Sequence, residues 1–333
     1  MIYSNLKLII SQAIQQRVAI ENDTNAFRLF NGFYEGYPGL ILDRYAHTLV
    51  IFNHNAPILS LDESINISKI VLDQIPLIKT VLIKQRQHPQ DSHRKGILLH
   101  GKFPSLSILE GNVQYAINLQ MNQDASFYLD TRHLRQWLRE NLEGLTVLNT
   151  FAYTGSLGIA AGIGGAKEVV QTDLNSNFLQ LASTSWQLNG LKNDDHSLIA
   201  GDFFRIAGRL RDQKRLFDCV ILDPPFFSQT SAGKVDLQQE TTRLINKIRP
   251  LVAHEGYLVL INNALFVSGQ DFLSELNALC KSEYLELHQI IPIPMDITGY
   301  PTTRVDSPPI NPAPFNHPTK IAILKVYRKD KQK

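Results

Sequence analysis

Between residues 145 and 328 short apolar runs alternate with helical patterns, and that rhythm restricts the fold more than any other feature of the chain. The runs are LTVLNTF (145–151), EVVQTDL (168–174), HSLIAGDF (196–203), FDCVILD (217–223), GYLVLINN (256–263), YLELHQIIPI (284–293) and KIAILKVYR (320–328). Among the segments between them, SLGIAAGIGG (156–165), NFLQLASTSWQLNG (177–190) and DLQQETTRLINKIRPLVA (236–253) read as helices. Such alternation predicts a doubly wound, mostly parallel sheet with helices on both faces, whose ligands sit beyond the carboxyl ends of the strands. The expected class is α/β, Rossmann-like.

The preceding region reads differently. Leu6, Ile9, Ile10, Ala13 and Ile14 fall at helical spacing, so residues 1–25 are expected to hold an amphipathic helix. From 26 to 120 the runs AFRLFNGF, GLILDRY, TLVIFNHN and TVLIKQR surround one helical stretch, LDESINISKIVLDQI. LSILEGNVQYAINLQ (106–120) reads as a hairpin turning at Glu110, Gly111 and Asn112. A smaller α+β domain over 26–120, a candidate for substrate recognition, is therefore expected to precede a larger domain over 121–333. The proline-rich YPTTRVDSPPINPAPFNHP (300–318) is a loop long enough to suggest function.

Composition narrows the class of partner. With 44% hydrophobic and 19% charged residues and a formal charge of +2, the chain has a globular composition, and any polyanion must be held by a local basic patch. Two cysteines, Cys219 and Cys280, give no disulfide framework and point to a reducing, cytoplasmic compartment. No run of about 18 apolar residues suggests a membrane span, and no His/Cys spacing suggests a metal. The N-terminal stretch lacks the features of a secretory signal. Oligomeric state, monomer or homodimer, is left open.

Polar residues cluster where the strands end. After the first run come Phe151, Tyr153, Thr154 and Gly155; Asp173 ends the second, Asp202 the third, Asp223 the fourth, and Asn262 with Asn263 the fifth. The first loop is neither a dinucleotide fingerprint nor a phosphate loop, and could be an ordinary strand-to-helix turn. Asp173 follows it by about 20 residues, the spacing of an acid that binds ribose hydroxyls, or it caps the following helix. Asp202, after LIAG, can likewise be only a cap for the following helix. Asp223-Pro224-Pro225-Phe226-Phe227 is either a tight loop with two core aromatics or a pocket for a planar acceptor, with hydrogen bonds to its edge and a ring on its face.

VLNTFAYTGSLGIAAGIGGAKEVVQTDLN, SFYLDTR, WQLNGL and FDCVILDPPFFS together resemble the class I S-adenosylmethionine-dependent methyltransferases of large-subunit ribosomal RNA, in the group containing the 23S rRNA cytosine-5 and guanine-7 enzymes. The likeness covers roughly residues 122 to 330, and RLFNGFYEGYPGLILDRY (28–45) resembles the segment preceding the catalytic domain there. It implies S-adenosylmethionine as cofactor. Phe151, Tyr153, Thr154 and Gly155 would line its methionine part, Asp173 would take its ribose hydroxyls, and Asp202 would face its adenine amino group. Phe127, Tyr128, Asp130 and Arg132 match the segment before the first strand, near the methionine end. Asp223, with the backbone of Pro224 and Pro225, would meet the edge of the target base, and Phe226 or Phe227 its face.

Two departures matter. The cytosine-5 relatives carry a nucleophilic cysteine at the end of the fifth strand, where this chain has Asn262 and Asn263. The paired asparagines are closer to the guanine-7 type, in which a ring nitrogen attacks the methyl group directly. The family also commonly carries an N-terminal RNA-binding PUA module, whereas this sequence starts with one helix. Basic clusters at 93–95, 132–139 and 205–215 are candidate replacements, or else solvated helix faces. The expected function is methylation of a base nitrogen in RNA, with 23S rRNA as the implied substrate. A protein or small-molecule methyltransferase and a non-catalytic RNA-binding or assembly factor remain as alternatives.

Overall fold

Leu6, Ile10, Ala13 and Ile14 line one side of helix α1 (Ile2–Arg17), and all four are buried. They share a core with Ile67, Ile70 and Val71 of α2 (Leu61–Leu72) and with the sheet beneath. That sheet has the order β1 (Ala26–Asn31), β2 (Leu40–Tyr45), β3 (Thr48–Asn53), β4 (Thr80–Gln85), β5 (Ile97–His100). The first three strands are antiparallel, α2 crosses over to make β3 and β4 parallel, and β5 runs antiparallel to β4. A capping box between Ser60 and Glu63 starts α2. After the short helix α3 (Asp91–Lys95), β6 (Ser107–Glu110) and β7 (Val113–Ala116) form the expected hairpin, with Gly111 at φ 59°.

The computed structural model describes residues 2–55, 58–225, 227–230 and 233–328, with the backbone alone for 2–4 and 227–240. It divides into two compact units, Met1–Asp130 with Pro294–Pro308, and Thr131–Ile293 with Pro309–Lys333. The expected boundary at 120/121 thus differs from the observed division at Asp130/Thr131, and α1 belongs to the first unit rather than standing apart. Residues 294–308 join that unit through a short helix, Met295–Thr298, where Asp296 Oδ2 accepts from the Arg28 amide at 3.0 Å. The Asp296 carbonyl accepts from Arg17, whose guanidinium also forms a buried two-point pair with Glu35, both contacts at 3.0 Å.

The second unit begins with α4 (Arg132–Asn141), followed by β8 (Thr146–Thr150), α5 (Ser156–Ile163), β9 (Glu168–Asp173), α6 (Ser176–Leu188), β10 (His196–Ala200), α7 (Phe203–Asp212) and β11 (Phe217–Leu222). A hairpin of β12 (Phe227–Thr230) and β13 (Gly233–Asp236) leads to α8 (Leu237–Ile248), β14 (Val252–Asn262), α9 (Gly269–Cys280), β15 (Leu285–Ile291) and β16 (Lys320–Val326). The sheet order is β10-β9-β8-β11-β14-β16-β15. Its first five strands are parallel, and β16 runs antiparallel to both neighbours. Helices cover both faces, so β11 is buried along Cys219, Val220, Ile221 and Leu222, and its apolar run is continuous rather than alternating.

Strand order reverses between β8 and β11, the switch point at which such sheets bind ligands. One element boundary departs from expectation. The helix expected over 236–253 stops at Ile248, because Pro250 lacks the amide needed to continue it. The strand expected from Gly256 accordingly starts at Val252, with a register shift against β11.

Candidate active site

β8 delivers the chain into a turn through Phe151, Ala152, Tyr153 and Thr154. Phe151 and Tyr153 both have φ of 52°, a left-handed conformation costing a bulky residue about 1–3 kcal/mol. Two amides hold the turn: Ala152 donates to the Thr172 carbonyl and Tyr153 to Asp173 Oδ2, each at 2.8 Å. Phe151 stacks on Phe203 with centroids 4.7 Å apart, and Tyr153 meets Phe178 edge-on at 4.6 Å. Gly155, at φ 81°, caps α5 in a conformation that suits glycine. A Cβ there would lie 2.4 Å from that of Ala182, and one on Gly158 would lie 2.3 Å from the Gln171 side chain. The start of α5 is thereby pressed onto β9.

Beneath this turn three polar side chains cross three strands. Asn149 Nδ2 donates to Gln171 Oε1 at 3.0 Å, and the Gln171 amide donates to His196 Nε2 at 2.9 Å. The His196 ring stacks on Trp186 at 4.1 Å, and burial lowers its pKa to about 4. None of the three was singled out from the sequence. Their signal is there: Asn149 and Gln171 interrupt apolar runs at equivalent places in successive strands, and the register pairs them.

Asp173 Oδ1 accepts from the Asn175 amide at 2.9 Å, so both oxygens of this acid take backbone donors and keep further acceptor capacity. Burial raises its pKa, against the opposing effect of the Asn175, Tyr153 and Leu174 amides. Asp202 caps α7 by accepting from the Arg205 amide at 3.1 Å, while its Oδ2 is buried with no hydrogen-bond partner among the described residues. Capping therefore accounts for one oxygen of Asp202 and leaves the other open.

At the adjoining end of the sheet, β11 finishes in half-buried Asp223, buried Pro224 and exposed Pro225. Phe226 lies outside the described residues, as does the side chain of Phe227. Next to them, β14 ends in Asn262 and Asn263. Asn262 Oδ1 accepts from the Ala264 amide at 3.0 Å, but Asn262 Nδ2 and Asn263 Oδ1 are buried without partners among the described residues. Lys320, paired with Asn262 across the β14–β16 ladder, is wholly buried and donates to the carbonyls of Ala264 and Val267, both at 3.0 Å, and Pro318 at 2.6 Å. Burial lowers its pKa to about 8. Leu222, Pro224, Thr241, Leu260 and Phe272 enclose a small cavity beside Asn262. Cys219 is sealed within β11 and burial pushes its thiol pKa far up; burial also raises Cys280, in α9.

The second unit thus gathers Phe151, Tyr153, Thr154, Gly155, Asp173 and Asp202 at the ends of β8 to β10, with Asp223, Pro224 and Pro225 at the end of β11. Arg132 opens α4 in the same unit. Tyr128 and Asp130 belong to the first unit, where the half-exposed Tyr128 hydroxyl donates to Asp124 Oδ2 at 3.4 Å and Phe127 packs on Tyr115 at 5.0 Å.

A family profile described as S-adenosylmethionine-dependent methyltransferase matches residues 79–294. The chain belongs to this family. Among curated relatives, YwbD of Bacillus subtilis (strain 168), provisionally named a ribosomal RNA large subunit methyltransferase, is 30% identical over 82% of this chain and 70% of its own length. Ribosomal RNA large subunit methyltransferase I of Aeromonas hydrophila is 32% identical over 62% of this chain and 53% of its own. The chain therefore spans between about half and 70% of the length of these relatives. Among solved structures, SMU.776, provisionally a methyltransferase and crystallised with SAH, superposes with a TM-score of 0.84 at 20% identity, covering 97% of this chain and 82% of that one. The family's α/β fold is the one observed. Among the described residues no helix is long and apolar enough to cross a membrane.

The residues at the ends of β8 to β10 fit the methyltransferase cofactor. S-adenosylmethionine presents vicinal ribose hydroxyls and an adenine amino group, all donors. Spare acceptor capacity on Asp173 and the orphaned Oδ2 of Asp202 are what such donors require.

Proposed function

We propose that this methyltransferase modifies a base nitrogen in RNA, with large-subunit ribosomal RNA as the substrate and the cytoplasm as its compartment. The observation that carries this reading is the pair of buried, unpartnered amide atoms, Asn262 Nδ2 and Asn263 Oδ1, beside Asp223. Together they offer one donor and one acceptor, a pattern suited to the edge of a planar base. The names of the relatives support RNA as the acceptor. The sealed Cys219 thiol supports a route without a covalent adduct, since a ring nitrogen with a lone pair needs positioning rather than a nucleophile.

In this reading Asp173 holds the ribose hydroxyls and Asp202 Oδ2 the adenine amino group. Phe151, Tyr153, Thr154 and Gly155 line the methionine end, with Arg132 as a further contact. The sulfonium supplies an electrophilic methyl group. Asn262, Asn263 and Asp223, with the backbone of Pro224 and Pro225, orient the acceptor so that its nitrogen lone pair forms the new N–C bond as the S–C bond breaks. Phe226 or Phe227 supplies the stacking face.

The test is incubation of the purified chain with labelled cofactor and large-subunit RNA from a strain lacking the protein, followed by nucleoside mass spectrometry. A methylated base nitrogen is expected. Label in protein or small molecules alone, or a covalent adduct with 5-fluorocytosine RNA, overturns the reading.

A further inference from the structure

α7 begins at Asp202, at one edge of the candidate site, and runs with a row of cations on its outer side. Arg205 and Arg209, four residues apart and therefore on one face, are both exposed. Two side chains of α8 reach the adjacent row of α7. The Arg243 guanidinium lies 5.0 Å from the centre of the Phe204 ring, and Lys247 Nζ lies 3.9 Å from where a Cβ on Gly208 would stand. Phe204 with Gly208, and Arg243 with Lys247, are again pairs four residues apart, so the two helices meet in matching rungs. Each rung is separated from the next by about 6 Å, the rise of four helical residues.

Three of the charges on this ridge are not neutralised locally. Arg205, Arg209 and Lys247 make no ion pair among the described residues, whereas farther along the chain Arg211 lies 3.7 Å from Asp212 and Arg215 pairs with Glu168 at 2.8 Å. The absence of a side chain at Gly208 leaves Lys247 beside the α7 backbone, between Arg205 and Arg209. Phe204 supports the Arg243 guanidinium through its face, an arrangement that favours a cation even where water is partly excluded.

We infer that Arg205, Arg209, Arg243 and Lys247 form a docking ridge for the phosphate backbone of an RNA substrate, leading to the end of the sheet where the acceptor is bound. The inference takes its partner from the proposed RNA methylation and adds the surface that captures it. A near-neutral chain needs such a local patch to hold a polyanion, and the unpaired Arg205, Arg209 and Lys247 gain counterion release on contact with phosphates. Direct phosphate contacts of this kind position the nucleic acid without reading its sequence.

Fluorescence anisotropy of the full chain with a labelled large-subunit RNA fragment, from 50 to 200 mM salt, tests the ridge. Each lost phosphate contact should reduce the slope of log K against log salt by about 0.7 on a single strand. The variants R205Q/R209Q and R243Q/K247Q should therefore each lower the slope by about 1.4, and the quadruple variant by about 2.8. Melting temperature and S-adenosylhomocysteine affinity should stay at the wild-type values. R211Q, a similar loss of charge on a different face of α7, should leave the slope unchanged. An unchanged slope in the quadruple variant, or an equal effect from R211Q, overturns the ridge. Ridge-dependent binding to anionic phosphatidylserine vesicles with RNA binding intact likewise assigns it to another partner. The two readings separate cleanly: ridge-dependent RNA binding without methyl transfer refutes the proposed reaction alone, while RNA methylation with an unaltered KM in the quadruple variant refutes the ridge alone.

Discussion

At the carboxyl ends of β8, β9 and β10 a preformed turn and a ladder of paired side chains leave two separate atoms open, Asn149 Oδ1 and Asp202 Oδ2, whereas at the end of β14 the open atoms belong to two successive asparagines. Asn149, Gln171 and His196 form a continuous ladder under the first turn, and both oxygens of Asp173 are engaged by backbone amides. Asn262 Nδ2 and Asn263 Oδ1 have no partner among the described residues. The difference matches the ligands proposed for the two ends. A cofactor that never varies can be met by a turn built in advance, strained φ angles included. An acceptor read by hydrogen bonds needs buried groups that stay unpaired until it arrives, and these also penalise any acceptor that fails to pair them.

The largest expected effect comes from damaging the prebuilt end. Gly158→Ala places a methyl group 2.3 Å from Gln171, which can yield only by leaving Asn149 and His196. Overpacking together with the broken ladder should cost about 2 to 4 kcal/mol. Thermal unfolding and calorimetry with S-adenosylhomocysteine should show stability and affinity falling together. Normal affinity in this variant would mean that the ladder does not support the turn.

Next in size is Asp173→Ala, which removes the acceptor for the Tyr153 amide and the proposed ribose contact. Cofactor affinity should drop by about 1.5 to 3 kcal/mol, the range for hydrogen bonds to a charged group. Asp202→Asn sharpens the assignment, since it keeps an oxygen to cap α7 while changing the charge of the open position. Its melting temperature should stay near wild type and its affinity should fall. A loss of stability without a loss of affinity would reduce Asp202 to a helix cap.

At the open end, Asn262→Ala and Asn263→Ala should each slow methyl transfer by the worth of a neutral hydrogen bond, about 0.5 to 1.5 kcal/mol, with cofactor affinity unchanged. Kinetics at saturating cofactor separate the two ends. If either alanine weakens cofactor binding as much as Asp173→Ala, the division of the sheet into a cofactor end and an acceptor end fails.

The sequence made this division legible only in part. Acids and glycines after strands stand out because a core has no use for them, so Asp173, Asp202 and the Phe151–Gly155 turn are candidates by position alone. Gln171 and His196 lie within strand runs and acquire meaning only when β9 and β10 are paired, since register decides which side chains meet. Lys320 was hidden for a similar reason. It reads as the polar edge of a last strand, and only the antiparallel pairing with Asn262 shows an ammonium fastening the loop beyond the asparagines. The β12–β13 hairpin was missed because its polar residues lack the alternation that marks a strand with one buried face.

The smallest expected effect is a pH dependence, one part of which reports on the prebuilt end. His196 has its pKa lowered by burial from 6.5 to about 4, so the folded chain keeps the ring neutral where the unfolded chain protonates it. Between those values the unfolded state binds more protons, and stability rises with pH. The contribution is complete above about pH 6.5 and is lost as pH falls through about 4. The structural cause is specific: protonation turns Nε2 into a donor facing the Gln171 amide, itself a donor, at 2.9 Å. His54 of the first unit is lowered to about 4 as well, so the wild-type slope contains both rings. His196→Phe keeps a ring against Trp186 and removes one titration, and His54→Phe removes the other. Melting temperatures from pH 7 to 4.5 should therefore fall less steeply in each single variant than in wild type. Cofactor affinity should lose part of its acid dependence only in His196→Phe, because of the two rings only that one lies in the ladder under the turn; Asp173, its pKa raised by burial, keeps the remainder. If His54→Phe flattened the affinity profile equally, the acid sensitivity would not belong to the ladder.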